Sequence, residues 1–195
     1  MATPLLIVTG FGPFGDVQHN PSGELALALD ADPPSGMRVA ATVLPVTFDG
    51  VPGALERHVK QAGPPAALLS MGVHPGAGFR LERRARARPT SQVVDNLGRV
   101  GGDHGADRER VSTLDLDQLQ TWLTPFAEAS STSVVVSDDA GGYVCDWTYQ
   151  HLLQHAEHFG VPGLFLHVPP LELLPMSQQL AFVREVAASL LQAGR

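Results

Sequence analysis

The sequence contains a single cysteine, Cys145, among its 195 residues. One thiol cannot form an internal disulfide, so a disulfide framework is excluded. The N-terminal residues have no basic start, and their apolar run is too short for a signal peptide or a membrane span. These absences predict a cytoplasmic protein, in a compartment that keeps Cys145 reduced.

Positive charge is also scarce. The chain has 13 Lys and Arg against 20 Asp and Glu, which gives a formal net charge of −7. Without a basic excess to neutralise phosphates, general affinity for DNA, RNA or anionic membranes is not expected, and a small neutral partner is favoured. With 44% hydrophobic and 17% charged residues, one sizeable core can form, which predicts a single domain over residues 1–195.

Short apolar runs alternate with helical patterns along the chain. Strands are predicted at Leu5–Thr9, Arg38–Leu44, Ala66–Met71, Ser133–Ser137 and Gly163–Val168. Helices are predicted at Ser22–Leu29, Val51–Gln61, Asp115–Ala129, Cys145–Phe159 and Ser177–Gln192, the first started by Pro21 and Ser22 and the last capped by Ser177.

This alternation predicts an α/β fold: a single-domain, open, twisted and mostly parallel sheet with helices on both faces. The stretch Gly72–Gly105 interrupts the pattern because it is rich in Gly and Arg. It is predicted to be irregular or an inserted hairpin.

Cys145 occupies a position that favours a nucleophile. It follows the predicted strand Ser133–Ser137 and a glycine turn, and it stands at the start of a predicted helix. The helix dipole at that end favours thiolate over thiol. The alternative is that Cys145 is only a small buried hydrophobic residue, as many lone cysteines are.

A histidine stands near the carboxyl end of another apolar run, in Gly163–Leu171. If the two strands are parallel and end at the same edge of the sheet, His167 approaches Cys145. A Cys/His pair is the minimum for nucleophilic acyl transfer. The alternative is that His167 is a hydrogen-bonded core residue.

An arginine-rich segment contains a candidate third catalytic residue, Glu82. An ion pair there would keep its carboxylate charged, and a charged carboxylate fixes the tautomer of a catalytic histidine. Spacing alone does not favour Glu82 over Asp138, Asp139 or Asp146. For most of the arginines a solvated strand face, with Ala85 and Ala87 on its other side, is the simpler interpretation. The arginines are Arg80, Arg83, Arg84, Arg86 and Arg88.

The segment Gly10–Gly15 fits the pattern G-x-G-x-x-G after the first strand, as in dinucleotide-binding proteins. However, Asp16–Asn20 separates it from the helix signals, whereas a dinucleotide loop opens directly into its helix. Two phenylalanines of this loop, Phe11 and Phe14, could instead enclose a flat uncharged ring.

Six segments together resemble the pyroglutamyl peptidase I family, also called pyrrolidone-carboxylate peptidase. They are VTGFGPFG with NPS (8–22), LPVTF (44–48), the glutamate with its Arg/Ala stretch, VVDN (93–96), SDDAGGYVCDWTYQ (137–150) and FLHVPPL (165–171). The resemblance covers nearly the whole chain and preserves the residue types around the cysteine and the histidine.

The resemblance implies a cysteine peptidase that removes N-terminal pyroglutamate from peptides without metal or cofactor. It assigns Cys145 as nucleophile, His167 as general base and acid, and Glu82 as the residue that orients the histidine. It also implies a homo-oligomer, commonly a homotetramer. The ring pocket of the family corresponds here to Phe11, Phe14, Asn20, Thr47, Val93, Tyr143 and Val144.

The chain departs from the family pattern at a few positions. Ala87 stands where many members have asparagine, and Gln92 replaces an arginine found in many bacterial relatives. Gly142 and Tyr143 stand where a bulkier residue and a phenylalanine are common. These changes leave open a thiol amidase or acyl hydrolase of other specificity on the same scaffold.

Overall fold

The structure is a computed structural model, and it describes residues 3–193. The strands are β1 (Leu5–Phe11), β2 (Arg38–Leu44), β3 (Ala67–Val73), β4 (Phe79–Glu82), β5 (Arg84–Ala85), β6 (Arg110–Val111), β7 (Val134–Ser137) and β8 (Gly163–Val168). The α-helices are α1 (Pro21–Ala31), α2 (Gly50–Ala62), α3 (Leu116–Ala129), α4 (Val144–Phe159) and α5 (Met176–Ala193).

Six of the strands form one sheet in the order β2-β1-β3-β8-β4-β7. The first four are parallel to one another. Strand β4 pairs with β8 in the antiparallel sense and with β7 in the parallel sense, so β4 and β7 run against the rest. The predicted mostly parallel α/β sheet is therefore confirmed.

Helices cover both faces of this sheet, as the alternating pattern predicted. On one face, side chains such as Leu6, Val8 and Leu69 pack with those of α1, α3 and α5. On the other face, Ile7 and Phe165 pack with side chains of α2 and α4. This second face carries the residues discussed below.

The stretch Gly72–Gly105 is more regular than the sequence indicated. It contains β4, a strand inside the main sheet, and β5, which pairs with β6 beyond the predicted stretch. Phe79 and Leu81 are fully buried, but Arg80 and Glu82 alternate with them. Because charged residues occupy the second face of this strand, no apolar run marked it in the sequence.

Two further details differ from prediction. Helix α5 begins at Met176, so Ser177 lies inside its first turn rather than capping it. The strands before Cys145 and around His167 are not parallel: β7 runs opposite to β8, with β4 between them. The chain therefore returns from Ser137 through residues 138–143 before α4 begins, and α4, not the end of β7, places Cys145.

Among residues 3–193, no helix combines the length and the apolar character that crossing a membrane requires.

Candidate active site

A buried histidine–carboxylate contact lies in the middle of the sheet. Nδ1 of His167 on β8 is 2.7 Å from Oε1 of Glu82 on the neighbouring strand β4. Glu82 is fully buried and His167 is 5% exposed. Since a carboxylate at Nδ1 accepts that N–H, Nε2 is left as the nitrogen that can accept a proton.

The thiol of Cys145 lies over strand β3 beside this pair. A Cβ built on Gly72 would be 2.8 Å from Cys145 Sγ, and Gly72 is the register partner of His167. The absence of a side chain at residue 72 therefore makes room for the sulfur next to the histidine. The structure brings Cys145, His167 and Glu82 together, although along a different chain path from the one predicted.

The thiol of Cys145 is protonated in this environment. Burial raises the pKa of Cys145 to about 12, and the negative charges of Asp146 and Glu82 act in the same direction. The backbone N–H at the helix start opposes this shift but does not overcome it. A reaction at Cys145 consequently needs a base that removes the proton as the sulfur attacks.

Helix α4 begins immediately before the cysteine and has no side-chain cap at Tyr143. The first N–H groups of a helix have no partner within the helix, so at α4 they face the region of the thiol. The nearby Asp146 is occupied elsewhere. Its carboxylate accepts hydrogen bonds from Gly142 N and from both the backbone and the guanidinium of Arg86.

Aromatic side chains from three segments surround the start of α4. The rings of Phe14 and Tyr143 have centroids 6.4 Å apart, and Phe48 packs edge-on against Tyr143 at 5.5 Å. Phe11 and Val144 belong to the same hydrophobic cluster. Of the seven predicted pocket residues, Phe14 and Tyr143 thus pack together at the start of α4, and Phe11 and Val144 lie in the hydrophobic cluster against which Cys145 also packs.

The two polar pocket candidates hold backbone in place. The side chain of Asn20 donates to Gly12 O and accepts from Ser22 N and Oγ, so it ties the Gly10–Gly15 loop to the start of α1. Thr47 Oγ1 accepts from Gly50 N at the start of α2.

Gly10 of the Gly10–Gly15 segment serves close packing of a helix rather than a dinucleotide loop. A Cβ on Gly10 would be 2.0 Å from the carbonyl oxygen of Ser22, because α1 lies directly against β1. The loop is closed by a bridge between Phe14 and Val17, and α1 begins only at Pro21.

Residues 90–99 form a wall beside the turn at Gly142 and Tyr143, which precedes Cys145. Thr90 N and Ser91 N both donate to Gly142 O, and the Tyr143 hydroxyl donates to Val94 O. Val93 is 60% exposed on this segment.

The same segment is fixed to the rest of the fold by an aspartate. Asp95 accepts from Phe48 N, Leu97 N and Arg99 N, and these hydrogen bonds lower its pKa. The VVDN motif identified this segment in the sequence, but it did not show that Asp95 holds the segment in place through backbone hydrogen bonds.

Sequence reasoning missed three residues that shape the site. Gly72 makes room for the thiol, Phe48 joins the aromatic cluster, and His74 packs edge-on against His167. Phe48 ends the LPVTF segment, and the family resemblance of that segment could have indicated Phe48 as a site residue. Nothing in the sequence around Gly72 or His74 indicated such contacts.

The alternative acids are paired away from the histidine. Asp138 lies 3.5 Å from Arg83 and 3.9 Å from Arg84, and Asp139 lies 2.9 Å from Arg86. Most of these arginines were expected on a solvated strand face, and Arg83, Arg84 and Arg86 are at least partly exposed but pair with acids there. Ala85 is buried as predicted, and Ala87 is half-buried.

Together, the fold and this buried arrangement define a cysteine hydrolase of the α/β type. The sequence profile of the family described as pyroglutamyl peptidase matches residues 5–181, and the chain belongs to that family. Among the relatives found, the pyrrolidone-carboxylate peptidase of Deinococcus radiodurans is 30% identical and aligns over 98% of this chain and 99% of its own.

A second relative, the pyrrolidone-carboxylate peptidase of Pyrococcus furiosus, is also 30% identical, over 84% of this chain and 80% of its own. A solved structure of pyrrolidone carboxyl peptidase from Pyrococcus furiosus superposes with a TM-score of 0.87 at 24% identity, covering 98% of this chain and 100% of that one. The likeness to that structure extends to the whole fold.

Proposed function

We propose that this chain removes N-terminal pyroglutamate from peptides, with Cys145 as nucleophile, His167 as base and acid, and Glu82 as the residue that orients the histidine. The observation that carries the assignment is the buried 2.7 Å contact between His167 Nδ1 and Glu82 Oε1 beside the thiol. Family membership supplies the substrate class.

The aromatic pocket suits the pyroglutamyl ring. Pyroglutamate has its α-amine locked in a neutral lactam, so the site needs an apolar slot rather than an anion to hold an ammonium. Phe11, Phe14, Tyr143 and Val144 line that slot, and Val93 closes it from the 90–99 segment. Asn20 and Thr47 act by holding the loops that carry the slot, and backbone groups satisfy the lactam N–H and C=O.

The chemistry proceeds in two halves. His167 Nε2 takes the thiol proton while Cys145 Sγ attacks the pyroglutamyl carbonyl carbon, and the first N–H groups of α4 hold the oxyanion. His167 then gives that proton to the leaving amine, and the C–N bond breaks to leave a thioester. A water molecule, deprotonated by the same imidazole, attacks the thioester, and the thiolate leaves and regains its proton.

The test is release of a fluorescent amine from a pyroglutamyl amide under reducing conditions, with the prolyl amide as control. We expect turnover of the pyroglutamyl compound alone, and its loss in Cys145→Ala. Turnover of the prolyl amide at a comparable rate would instead identify a thiol amidase of broader specificity. No turnover by folded native protein would reject the proposed function.

Three further proposals accompany this one. We propose that residues 1–195 act as one catalytic domain, because the triad comes from two neighbouring strands of one sheet, β4 and β8, and from α4, which packs on that sheet. A cytoplasmic location is proposed because the single cysteine is the nucleophile and must stay reduced.

We also propose a homo-oligomer. Support comes from a groove of about 980 Å³ on α3, α4 and α5, where Trp122 is 56% and Val111 53% exposed. Sedimentation at several protein concentrations tests this proposal.

A further inference from the structure

Within residues 3–193, the buried carboxylate of Glu82 has one cationic side chain of fixed charge beside it, that of Arg80. Arg80 Nε is 3.6 Å from Glu82 Oε1, the same oxygen that faces His167. No hydrogen-bond partner of Glu82 Oε2 is found among the described residues. A fully buried carboxylate without a counter-charge is strongly disfavoured, and it takes up a proton instead.

The need for a counter-charge is greatest in the resting enzyme. His167 must be neutral to act as a base, so it contributes no positive charge to Glu82 at that stage. Arg80 stays charged at every pH at which the enzyme works. Its guanidinium therefore balances Glu82 in the one state where the histidine cannot.

The guanidinium is held in position rather than free in solvent. Arg80 Nη2 donates to Ser137 Oγ at 2.7 Å at the end of β7. Arg80 is also the antiparallel partner of His167, so both side chains lie on the same face of the sheet. The strand register that brings Glu82 to the histidine brings Arg80 as well.

We propose that Arg80 is a positioning residue of the active site, which keeps Glu82 ionised while His167 is neutral. This inference deepens the proposed function and rests on it. Arg80 does not contact the reacting atoms in this scheme. It acts through Glu82, and its positive charge also opposes early protonation of His167.

The neighbouring arginines do not share this role. Arg83 pairs with Asp117 and Asp138, and Arg84 lies 3.5 Å from Glu109. Arg80 is thus the member of the arginine-rich segment that faces the buried glutamate.

Other titratable groups face the pair from each packed element. They are His74 after β3, Cys145, Asp146 and Tyr149 on α4, and Asp139 after β7. His74 is neutral near pH 7 because burial lowers its pKa. Asp146 and Asp139 are paired with Arg86, and burial keeps Tyr149 protonated.

The experiment compares native enzyme with Arg80→Met, Arg80→Lys and the matched control Arg83→Met. Each is assayed for kcat/KM from pH 5 to 9 on an uncharged pyroglutamyl amide, so that no substrate carboxylate can involve the arginine. Loss of an opposite charge at this range shifts a pKa by roughly one unit or more. We expect the acidic limb of the Arg80→Met profile to move up by about one pH unit, with activity near pH 6 falling about tenfold.

The upward shift of the acidic limb follows from the effect of the lost positive charge on Glu82 and on His167. Without Arg80, Glu82 binds a proton more readily, and so does His167, so the coupled pair becomes protonated at higher pH. Arg80→Lys keeps the charge and should restore most of the native limb. Arg83→Met should leave the limb unchanged. An unshifted limb in folded Arg80→Met overturns the inference.

Two measurements keep the outcome interpretable. If Arg80→Met does not fold, Arg80→Gln replaces it, because glutamine is polar but carries no charge. Proton NMR titration of the His167 ring, which needs no turnover, should show the same upward shift, and an unchanged midpoint counts against the inference. Native enzyme that fails to turn over the amide rejects the proposed function instead, and the NMR result then decides on Arg80 alone.

Discussion

The ring of His74 lies edge-on against the ring of His167, with 5.8 Å between centroids and 60° between planes. His74 is itself fixed, because its Nδ1 accepts from Gly76 N and its Nε2 lies 2.6 Å from Gly78 O. An Nδ1 that accepts leaves the proton on Nε2, so this geometry specifies the neutral tautomer. Burial lowers the pKa of His74 and keeps it neutral. His167, the proposed catalytic histidine, therefore packs against an uncharged ring that two hydrogen bonds hold in place.

Replacing His74 should affect both the fold and the reaction. His74→Ala removes the ring contact and the two hydrogen bonds, so we expect a destabilisation of about 1–3 kcal/mol and a several-fold lower kcat. His74→Phe keeps a ring against His167, and its kcat should lie closer to the native value. Urea unfolding and steady-state kinetics check both. Equal kcat values for the two variants would show that the ring at residue 74 does not support His167 during the reaction.

Glu82→Gln should disable the base while leaving the fold in place. An amide cannot hold His167 in the required tautomer as a carboxylate does, and comparable losses in such triads are about 10²–10⁴-fold in rate. The matched control is Asp138→Asn, since the exposed carboxylate of Asp138 pairs with Arg83 and Arg84 rather than with His167. We expect little change in that control. Comparable losses in both variants would remove Glu82 from its proposed role.

The raised pKa of Cys145 predicts a specific alkylation profile. Thiolate is the reactive form, and the pKa of about 12 leaves little of it at neutral pH. The rate of modification of the free enzyme by iodoacetamide should therefore keep rising with pH beyond pH 9. A plateau between pH 6 and 8 would reveal a preformed thiolate–imidazolium pair and would falsify this prediction.

Gly72→Ala should lower kcat through a steric clash, because the added methyl group has no room beside Cys145. The new methyl group would stand 2.8 Å from Cys145 Sγ and 3.0 Å from the buried ring of Phe165, so sulfur or ring must shift. We expect roughly a hundredfold loss of kcat, since small misplacements of reacting atoms carry that cost, and about 1–3 kcal/mol of destabilisation. Gly102→Ala is the control, because a Cβ there meets nothing within 4 Å. Native-like kinetics in Gly72→Ala would mean that the sulfur lies elsewhere.

Stability should fall below neutral pH because of His151. Its ring packs edge-on against Trp147 at 4.5 Å, and burial lowers its pKa to about 4. Between that value and the unfolded value of about 6.5, the unfolded chain binds a proton that the native chain does not. The stabilisation is complete above pH 6.5 and is lost as pH falls towards 4.

For a partly exposed ring, this loss amounts to about 1–2 kcal/mol between pH 7.5 and 5.0. Urea unfolding of native protein and His151→Gln at both pH values measures it. The native protein should lose more stability than the variant by that amount. Parallel losses in the two proteins would assign the acid sensitivity to other groups, such as His74 or His155, whose pKa values burial also lowers.

Strand positions could be predicted from the sequence best where a strand consists of one continuous apolar run. Strands such as β3 and β8 are buried on both faces and therefore read as continuous apolar segments. Strand β4 could not be recognised in this way, because Arg80 and Glu82 occupy the face that carries the site. The sequence therefore did not predict β4, because charged residues of the candidate site stand where a buried strand usually has hydrophobic ones.

The relative direction of strands was also beyond sequence reasoning. Nothing in the residues of β7 distinguishes a strand parallel to β8 from one that runs against it. The error in strand direction does not change which residues are proposed for the site, because α4 rather than β7 sets the position of Cys145. Contacts such as His74 with His167 depend on tertiary packing of a short loop, for which no local pattern exists.

The double hydrogen bond from Thr90 and Ser91 to Gly142 O has an evolutionary consequence. One peptide group joins the 90–99 segment to the turn that leads through Tyr143 into the first residues of α4, where Cys145 lies. A mutation that reshapes the 90–99 segment for a different ring should therefore displace Cys145, the proposed nucleophile, with it. New specificities on this scaffold should therefore first appear as slow enzymes, and their rates should recover only when a second change realigns the turn.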